Sequence, residues 1–507
     1  MSDFLPATTG MSRVFIIEGR ARPDHEPEYN SCMRGQALSK SFGDVTDIEC
    51  PDPNRPGAYI KIGEIQAGDE RATMTLEGRY ALDIRSRLLQ LAQRKCALDV
   101  QLHFGDCEDL TNRNNYKKIL FLEDALLASY DTEDLGSLQS GDTAAINESV
   151  ELSATKIYDV IRQVFEQEAE DIVVLNVLDV VFCDEPSCGN CADDSAGCEK
   201  VYAITVAEGG SPGTPPSFLW SLDGGLVWDA DDIVPLAAND PTALACVSDY
   251  IVVVSHAANL FYYTLQTNFE LNVPAFMVAW NTSPVADAAG GFVTGGEPND
   301  IVSVGTKAWI VGDNGYIYVM TDPADMTTQD AGETTTAQLV KVDALNENRA
   351  VAVGSSATIV FTTDGETWEV TQNNPVPFLT SLVSVAMKSN DVWFVGDDAG
   401  FLWYTTDSGV TWSLKPFIGD GTGTVVDICF STDSIGYFIQ DTGDVGRIFA
   451  TFNGGYDWVQ LPLGAGIMPD TVGLAAIAAC KHEAELVIAV GEGEALDTDG
   501  IIIRGSM

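Results

Sequence analysis

From residue 339 onward the apolar and polar positions fall into a unit that repeats. Each unit opens with an apolar strand (LVKVDAL, LVSVAMK, VVDICFS) and continues with a second that is almost wholly apolar (RAVAVG, DVWFVG, GYFIQD). A third follows (TIVFTTD, FLWYTTD, RIFATFN), then a short fourth (WEVTQ, WSLKP, WVQLP). A continuous apolar run this short suits a strand buried on both faces. Four short strands in a period of about 40–50 residues predict one blade of a β-propeller.

A turn motif marks the end of the third strand. It reads Ser/Thr-x-Asp-x-Gly-x-Thr-Trp and is most complete at Thr405, Asp407, Gly409, Thr411 and Trp412. Ser221, Asp223, Gly225 and Trp228 follow the same pattern, as do Thr451, Asn453, Gly455 and Trp458. A fourth copy, Thr362, Asp364, Thr367 and Trp368, is one residue shorter. The last three tryptophans are 44 and 46 residues apart, and Trp228 precedes Trp368 by 140, room for two units without the motif. Val-Gly pairs at 311–312, 353–354 and 395–396 recur every 42 residues, with another at 490–491. A short Asp side chain accepts bonds from nearby backbone N–H groups, glycine takes a positive φ, and tryptophan covers the turn. The span 173–507 holds roughly seven periods near 47 residues, starting near 176, 241, 292, 339, 382, 425 and 473. The last unit has three strands. Either its outer strand is missing or an upstream strand closes the ring.

These motifs resemble the Asp-box (bacterial neuraminidase repeat) propellers: sialidases, glycan-binding propellers and photosystem assembly factors. The resemblance implies a fold, with Asp223, Asp364, Asp407 and Asn453 as turn locks. Sialidase chemistry needs three arginines on a carboxylate, a tyrosine nucleophile and an acid/base carboxylate. Residues 173–507 contain only Arg349, Arg447 and Arg504, and only two histidines, His256 and His482. The expectation is a non-enzyme. Loops at 264–300 and 320–338, rich in Thr, Asn, Asp and Gly, are candidates for glycan or protein contact.

The first 172 residues have another texture. Strand candidates are RVFIIEG, GAYIKIGEI, ATMTLEGRY, LDVQLHFGD, KKILFLEDALLASYD and ESVELSATKIYDV. Between them, 83–95 places Ile84, Leu88, Leu91 and Ala92 on one helical face. The order of elements, with Gly63-Glu64-Ile65, Glu70 to Tyr80, Cys96 to Cys107 and the Leu135-Gly136…Gly141 turn, resembles a tailed-phage tail tube protein. That resemblance implies a small β-sandwich or barrel with one helix, assembling as stacked hexameric rings beside other virion tail proteins.

Composition then changes the picture in two ways. The net charge is -48, and it is uneven: residues 1–172 hold 18 basic and 31 acidic residues, the remainder 9 and 44. The shift supports a domain boundary at 172/173 and argues against nucleic-acid binding, which needs Lys and Arg against phosphate. No apolar run is long enough to cross a bilayer, and the first residues lack the pattern of a signal peptide, so neither membrane insertion nor classical secretion is expected. Second, four of the eleven cysteines cluster in an insertion, 183–198: Cys183, Cys188, Cys191 and Cys198. Two disulfides pinning a hairpin, a four-thiolate zinc site, or free thiols all fit that spacing. No other cofactor is expected.

The fold class expected is all-β, an N-terminal sandwich or barrel with one helix followed by a roughly seven-bladed propeller. The function expected is a virion structural protein, made in the host cytoplasm, whose first domain forms the tail tube and whose propeller decorates the tail, with host-surface glycans as candidate contacts. The alternative is a cellular propeller scaffold or assembly factor, and after that a glycan-binding protein or glycosidase.

Overall fold

The computed structural model describes, up to residue 168, the strands alone. From 176 to 506 it describes all but 184–197, 207–216, 233–240, 257–259, 271–279, 284–294, 372–379, 416–422, 443–444, 462–472, 482–485 and 493–499. Two compact units divide the chain between Arg162 and Gln163.

In the first unit seven strands pair in the order Glu28–Asn30, Ser12–Glu18, Leu98–Gly105, Tyr116–Thr132, Asn147–Ala154, Arg71–Arg79, Met33–Ser41. An eighth, Lys156–Asp159, pairs with Tyr116–Thr132, and Asp44–Pro51 forms a separate pair with Tyr59–Ala67. All these pairings are antiparallel. The long strand Tyr116–Thr132 belongs to both halves of the sheet: its first part pairs with Leu98–Gly105 and its second with Asn147–Ala154. Met74, Val100, Leu122, Val150 and Leu152 are buried. The strands near 13–19, 57–65, 72–80, 98–106 and 117–131 were legible from alternation. The segments Glu28–Asn30, Met33–Ser41 and Asp44–Pro51 were not, because they are rich in polar and charged residues. The predicted helix 83–95 and the turn near 135–142 lie outside the described residues.

The second unit is a ring of seven four-stranded antiparallel sheets, numbered here as blades 1 to 7. Their innermost strands are Val177–Phe182, Ala243–Val247, Pro298–Val304, Leu339–Asn346, Leu382–Met387, Thr424–Phe430 and Leu474–Ala479. Each touches its neighbour, and the seventh touches the first. Second strands such as Arg349–Gly354 and Trp393–Asp397 are buried along almost their whole length, because a neighbouring blade covers each face. The hydrophobic clusters accordingly lie between blades. One combines Val177, Val201 and Leu219 of blade 1 with Ile488, Val490 and Ile502 of blade 7. The Val-Gly pairs mark a close approach: a Cβ on Gly354 would run into the carbonyl of Gln338 at the start of the inner strand.

Blade 7 settles the missing strand. Its inner three strands come from the end of the chain, and its outermost is Val164–Glu168, paired antiparallel with Gly500–Ser506 from Val164 opposite Ser506 to Glu168 opposite Ile502. The boundary therefore moves from 172 back to 162/163, because the ring takes its closing strand from the segment just after the first unit. Part of the predicted loop 320–338 is also strand: Thr327–Ala331 is the outer edge of blade 3.

Candidate functional site

Each of the four turn motifs ties its own backbone together. In blade 5 the Thr405 hydroxyl donates to Asp407 Oδ1 (2.8 Å) and accepts from the Gly409 N–H (3.0 Å). Asp407 also accepts from the Thr411 N–H (2.8 Å) and hydroxyl (2.6 Å). Gly409 has φ +82°, which a side chain would resist. In blade 1, Asp223 Oδ1 takes bonds from Ser221 and from the N–H groups of Leu226 and Val227. The shorter copy does the same with Asp364, Thr362, Glu366 and Thr367. Asn453 substitutes its amide oxygen, accepting from Thr451 and from the Asp457 N–H. Backbone N–H donation from Thr367 and Glu366 holds Asp364 well below the usual carboxylate range.

The tryptophans reach further than a cover over the turn. Trp228 packs with Ile488 and Val490 of blade 7, and Trp368 meets Trp309 of blade 3 edge to face at 6.5 Å. Trp412 joins Val351 and Ile359 of blade 4, and Trp458 stands edge-on to Phe394 of blade 5 at 6.0 Å. Every one fills the crevice toward the preceding blade. Gly225 lies there too, where a Cβ would come within 2.6 Å of Ile488 Cδ1.

The cysteine cluster is not a closed set. Cys183 is bonded to Cys246 of blade 2, and Cys198 to Cys480 of blade 7, with Cα–Cα distances of 5.7 and 5.8 Å. Two of the four thiols are thus committed to partners 63 and 282 residues away, which removes both the internally paired hairpin and the four-thiolate zinc site. Cys188 and Cys191 lie outside the described residues.

The charged chemistry of the ring sits at its centre, where sequence reading did not look. The inner strands line a cavity of about 740 Å³ that includes Asp179, Asp300, Lys341, Asp343, Asp427 and Cys429. Register shifts at Asp179, Asp300, Lys341, Ser384, Asp427 and Ala476 show a bulge near the start of the inner strand in blades 1, 3, 4, 5, 6 and 7. From there each aspartate bridges to the next blade. Asp179 accepts from the Leu244 N–H (2.9 Å), Asp300 from Val342 (2.8 Å) and Asp427 from Ile477 (3.0 Å). Ser384 donates to the Val425 carbonyl (2.6 Å), and Asp343, lower in blade 4, accepts from the Met387 N–H (2.6 Å).

Lys341 lies among these carboxylates, 3.6 Å from Asp300 and 3.7 Å from Asp427. Burial alone would lower its pKa, but Asp300, Asp427 and Asp179 outweigh burial and hold it above the usual lysine value. Among the described residues Asp179 makes no ion pair within 4 Å. Burial pushes its carboxyl up to about 7, with Lys341 opposing and Asp300 and Asp427 adding to the rise. Burial raises Asp300 and Asp343 as well. A firmly protonated lysine is no nucleophile, and these carboxylates are held by backbone N–H groups, so the arrangement fastens blades together.

Elsewhere His256, partly exposed, lies 4.0 Å from Asp313. Among the described residues no group of three or more His, Cys, Asp or Glu is placed to hold a metal ion. Arg504 is engaged in the seam, donating from Nε to the Gly224 carbonyl at 2.8 Å.

No family model and no curated protein matches the chain. Among solved structures the similar class is the β-propellers. A catalytically inactive virginiamycin B lyase from Staphylococcus aureus with quinupristin has TM-score 0.50 and 12% identity, over 68% of this chain and 99% of that one. YCF48 from Cyanidioschyzon merolae has TM-score 0.49 and 13% identity over 68% and 99%. YCF48 bound to a D1 peptide has 0.48 and 15% over 68% and 96%. Likeness at such identities is one of fold.

Proposed function

We propose that the propeller is a non-catalytic platform for protein partners, a scaffold or assembly factor. The observation that carries this reading is the way the ring uses its functional groups. The turn carboxylates and the central aspartates are bound to the chain's own backbone, and the central lysine is neutralised by two of them. What remains for recognition is the rim and faces of the ring, which suit protein contact. Immobilised full-length protein should retain a defined polypeptide from its source cells in fixed stoichiometry. It should not hydrolyse fluorogenic glycosides; turnover of any of them would sink the proposal.

A second reading places the chain in a virion tail, with the first unit assembling into rings or a tube. Among the described residues its sheet ends in two edge strands, Glu28–Asn30 and Met33–Ser41, each paired on one side. Such edges favour pairing with further copies. The two disulfides support residence in oxidising surroundings, which a particle reaches after leaving the cytoplasm where it was made. Rings or tubes in negative-stain micrographs at high protein concentration are expected on this reading, and a strict monomer counts against it.

A further inference from the structure

Among the described residues blade 1 is the one fastened by disulfides, and it is fastened on both sides. Cys183 follows the end of its inner strand and bonds to blade 2; Cys198 precedes its second strand and bonds to blade 7. By chain order both bonds lie on the face where first strands turn into second strands. The Cys198–Cys480 bond crosses the seam at which the two ends of the ring meet.

That seam is already closed without sulfur. Val164–Glu168 pairs with Gly500–Ser506, Arg504 reaches the Gly224 carbonyl, and Trp228 and Gly225 pack on Ile488. Cys198 and Cys480 are 3% and 0% exposed, in a small cluster with Leu486 and Phe182. A bond buried that deeply meets a solution thiol only when the seam opens. Its closed loop also spans 282 residues, so it removes much freedom from any opened state. Cys429 is the one free cysteine among the described residues, and burial raises its thiol, so it supplies no thiolate for internal exchange.

We propose that Cys198–Cys480, with Cys183–Cys246 beside it, is a redox latch on the propeller seam: the ring assembles as dithiols by strand pairing, and oxidation during an opening of the seam then locks it. The oxidant is a small-molecule disulfide. One cysteine thiolate attacks the donor's S–S bond and expels a donor thiolate, leaving a mixed disulfide. The second cysteine thiolate attacks the protein sulfur of that mixed disulfide and expels the other donor thiolate. Two electrons pass to the donor, and the two cysteine protons end on its sulfurs. A dithiol reverses the sequence, and burial makes that reversal wait for the seam to open.

Amide hydrogen exchange on the full chain tests this, comparing wild type with the double variant Cys198→Ser/Cys480→Ser. The variant should keep the wild-type far-UV spectrum and hydrodynamic size. Amides of Val164–Glu168 and Gly500–Ser506 should exchange roughly 30- to 1,000-fold faster, while those of Arg349–Gly354 in blade 4 change less than about threefold. Wild type refolded under a phosphine reductant, which lacks both bonds, should exchange at the seam at least as fast as the variant, and glutathione disulfide should restore slow exchange. Unchanged exchange at the seam overturns the proposal. So does equal acceleration in every blade, or failure of both the variant and the reduced wild type to form the ring.

Discussion

At the scale of single residues, the turn motif works because all its partners lie within eight positions. Thr405, Asp407, Gly409 and Thr411 satisfy one another, so the pattern is visible in the string of letters. Asp407→Ala removes an acceptor used by two donors of Thr411 and should cost about 1–2 kcal/mol, the range for a lost side-chain cap. Asp407→Asn should cost less than half as much, because Asn453 performs the same task in blade 6 with an amide oxygen. Urea unfolding midpoints for the two variants check the ranking; equal losses would assign the effect to charge. The cysteines were misleading for the opposite reason. Four thiols within sixteen positions suggest each other as partners, yet Cys183 and Cys198 reach 63 and 282 residues away. Spacing along a chain says nothing of which blade comes to lie beside it.

At the scale of elements, the second strands were readable because both faces are buried, as the apolar run RAVAVG illustrates. The inner strands hid their role, since VLDVVF, PNDIVSV and TVVDICF each hold one aspartate in a largely apolar strand. Nothing in the local pattern marks the aspartates as facing a common centre. Only closure of the ring turns Asp179, Asp300 and Asp427 toward one centre and hands each a backbone N–H from the next blade. Lys341→Met should leave Asp300 and Asp427 without a counter-ion and destabilise the propeller by about 3–5 kcal/mol at pH 8. Burial raises the Asp300 carboxyl, so the loss should shrink toward acid pH as Asp300 takes up a proton, and denaturant titrations at pH 8 and in acid measure it. Asp179 has a definite sign. Its folded pKa of about 7 stands above the unfolded value near 3.9, so its contribution is greatest below that value and declines as pH rises toward 7. Against wild type, Asp179→Asn should therefore gain stability progressively between pH 4 and 7. A constant difference across that window would show that Asp179 does not titrate there.

At the scale of the whole molecule, seven blades were countable from the spacing of Trp368, Trp412 and Trp458, with two units inferred where no motif stands. What spacing did not show was where the circle begins, because Val164–Glu168 sits next to the first unit in the chain and belongs to the last blade of the second. A fragment of 163–507 should fold cooperatively, whereas 173–507 should lack the outer strand of blade 7 and melt lower or aggregate. Circular dichroism and gel filtration of the two fragments decide this, and equal stability would make the closing strand dispensable. The same arrangement sets an order in time. During synthesis Val164–Glu168 appears before blade 1, but its partner Gly500–Ser506 appears only after the other six blades are made. At roughly 5–20 residues per second that interval lasts on the order of 15–70 s. Through all of it the growing chain carries a strand waiting for its partner beside blades free to fold, so a cell producing this protein must shield that edge until the last strand arrives.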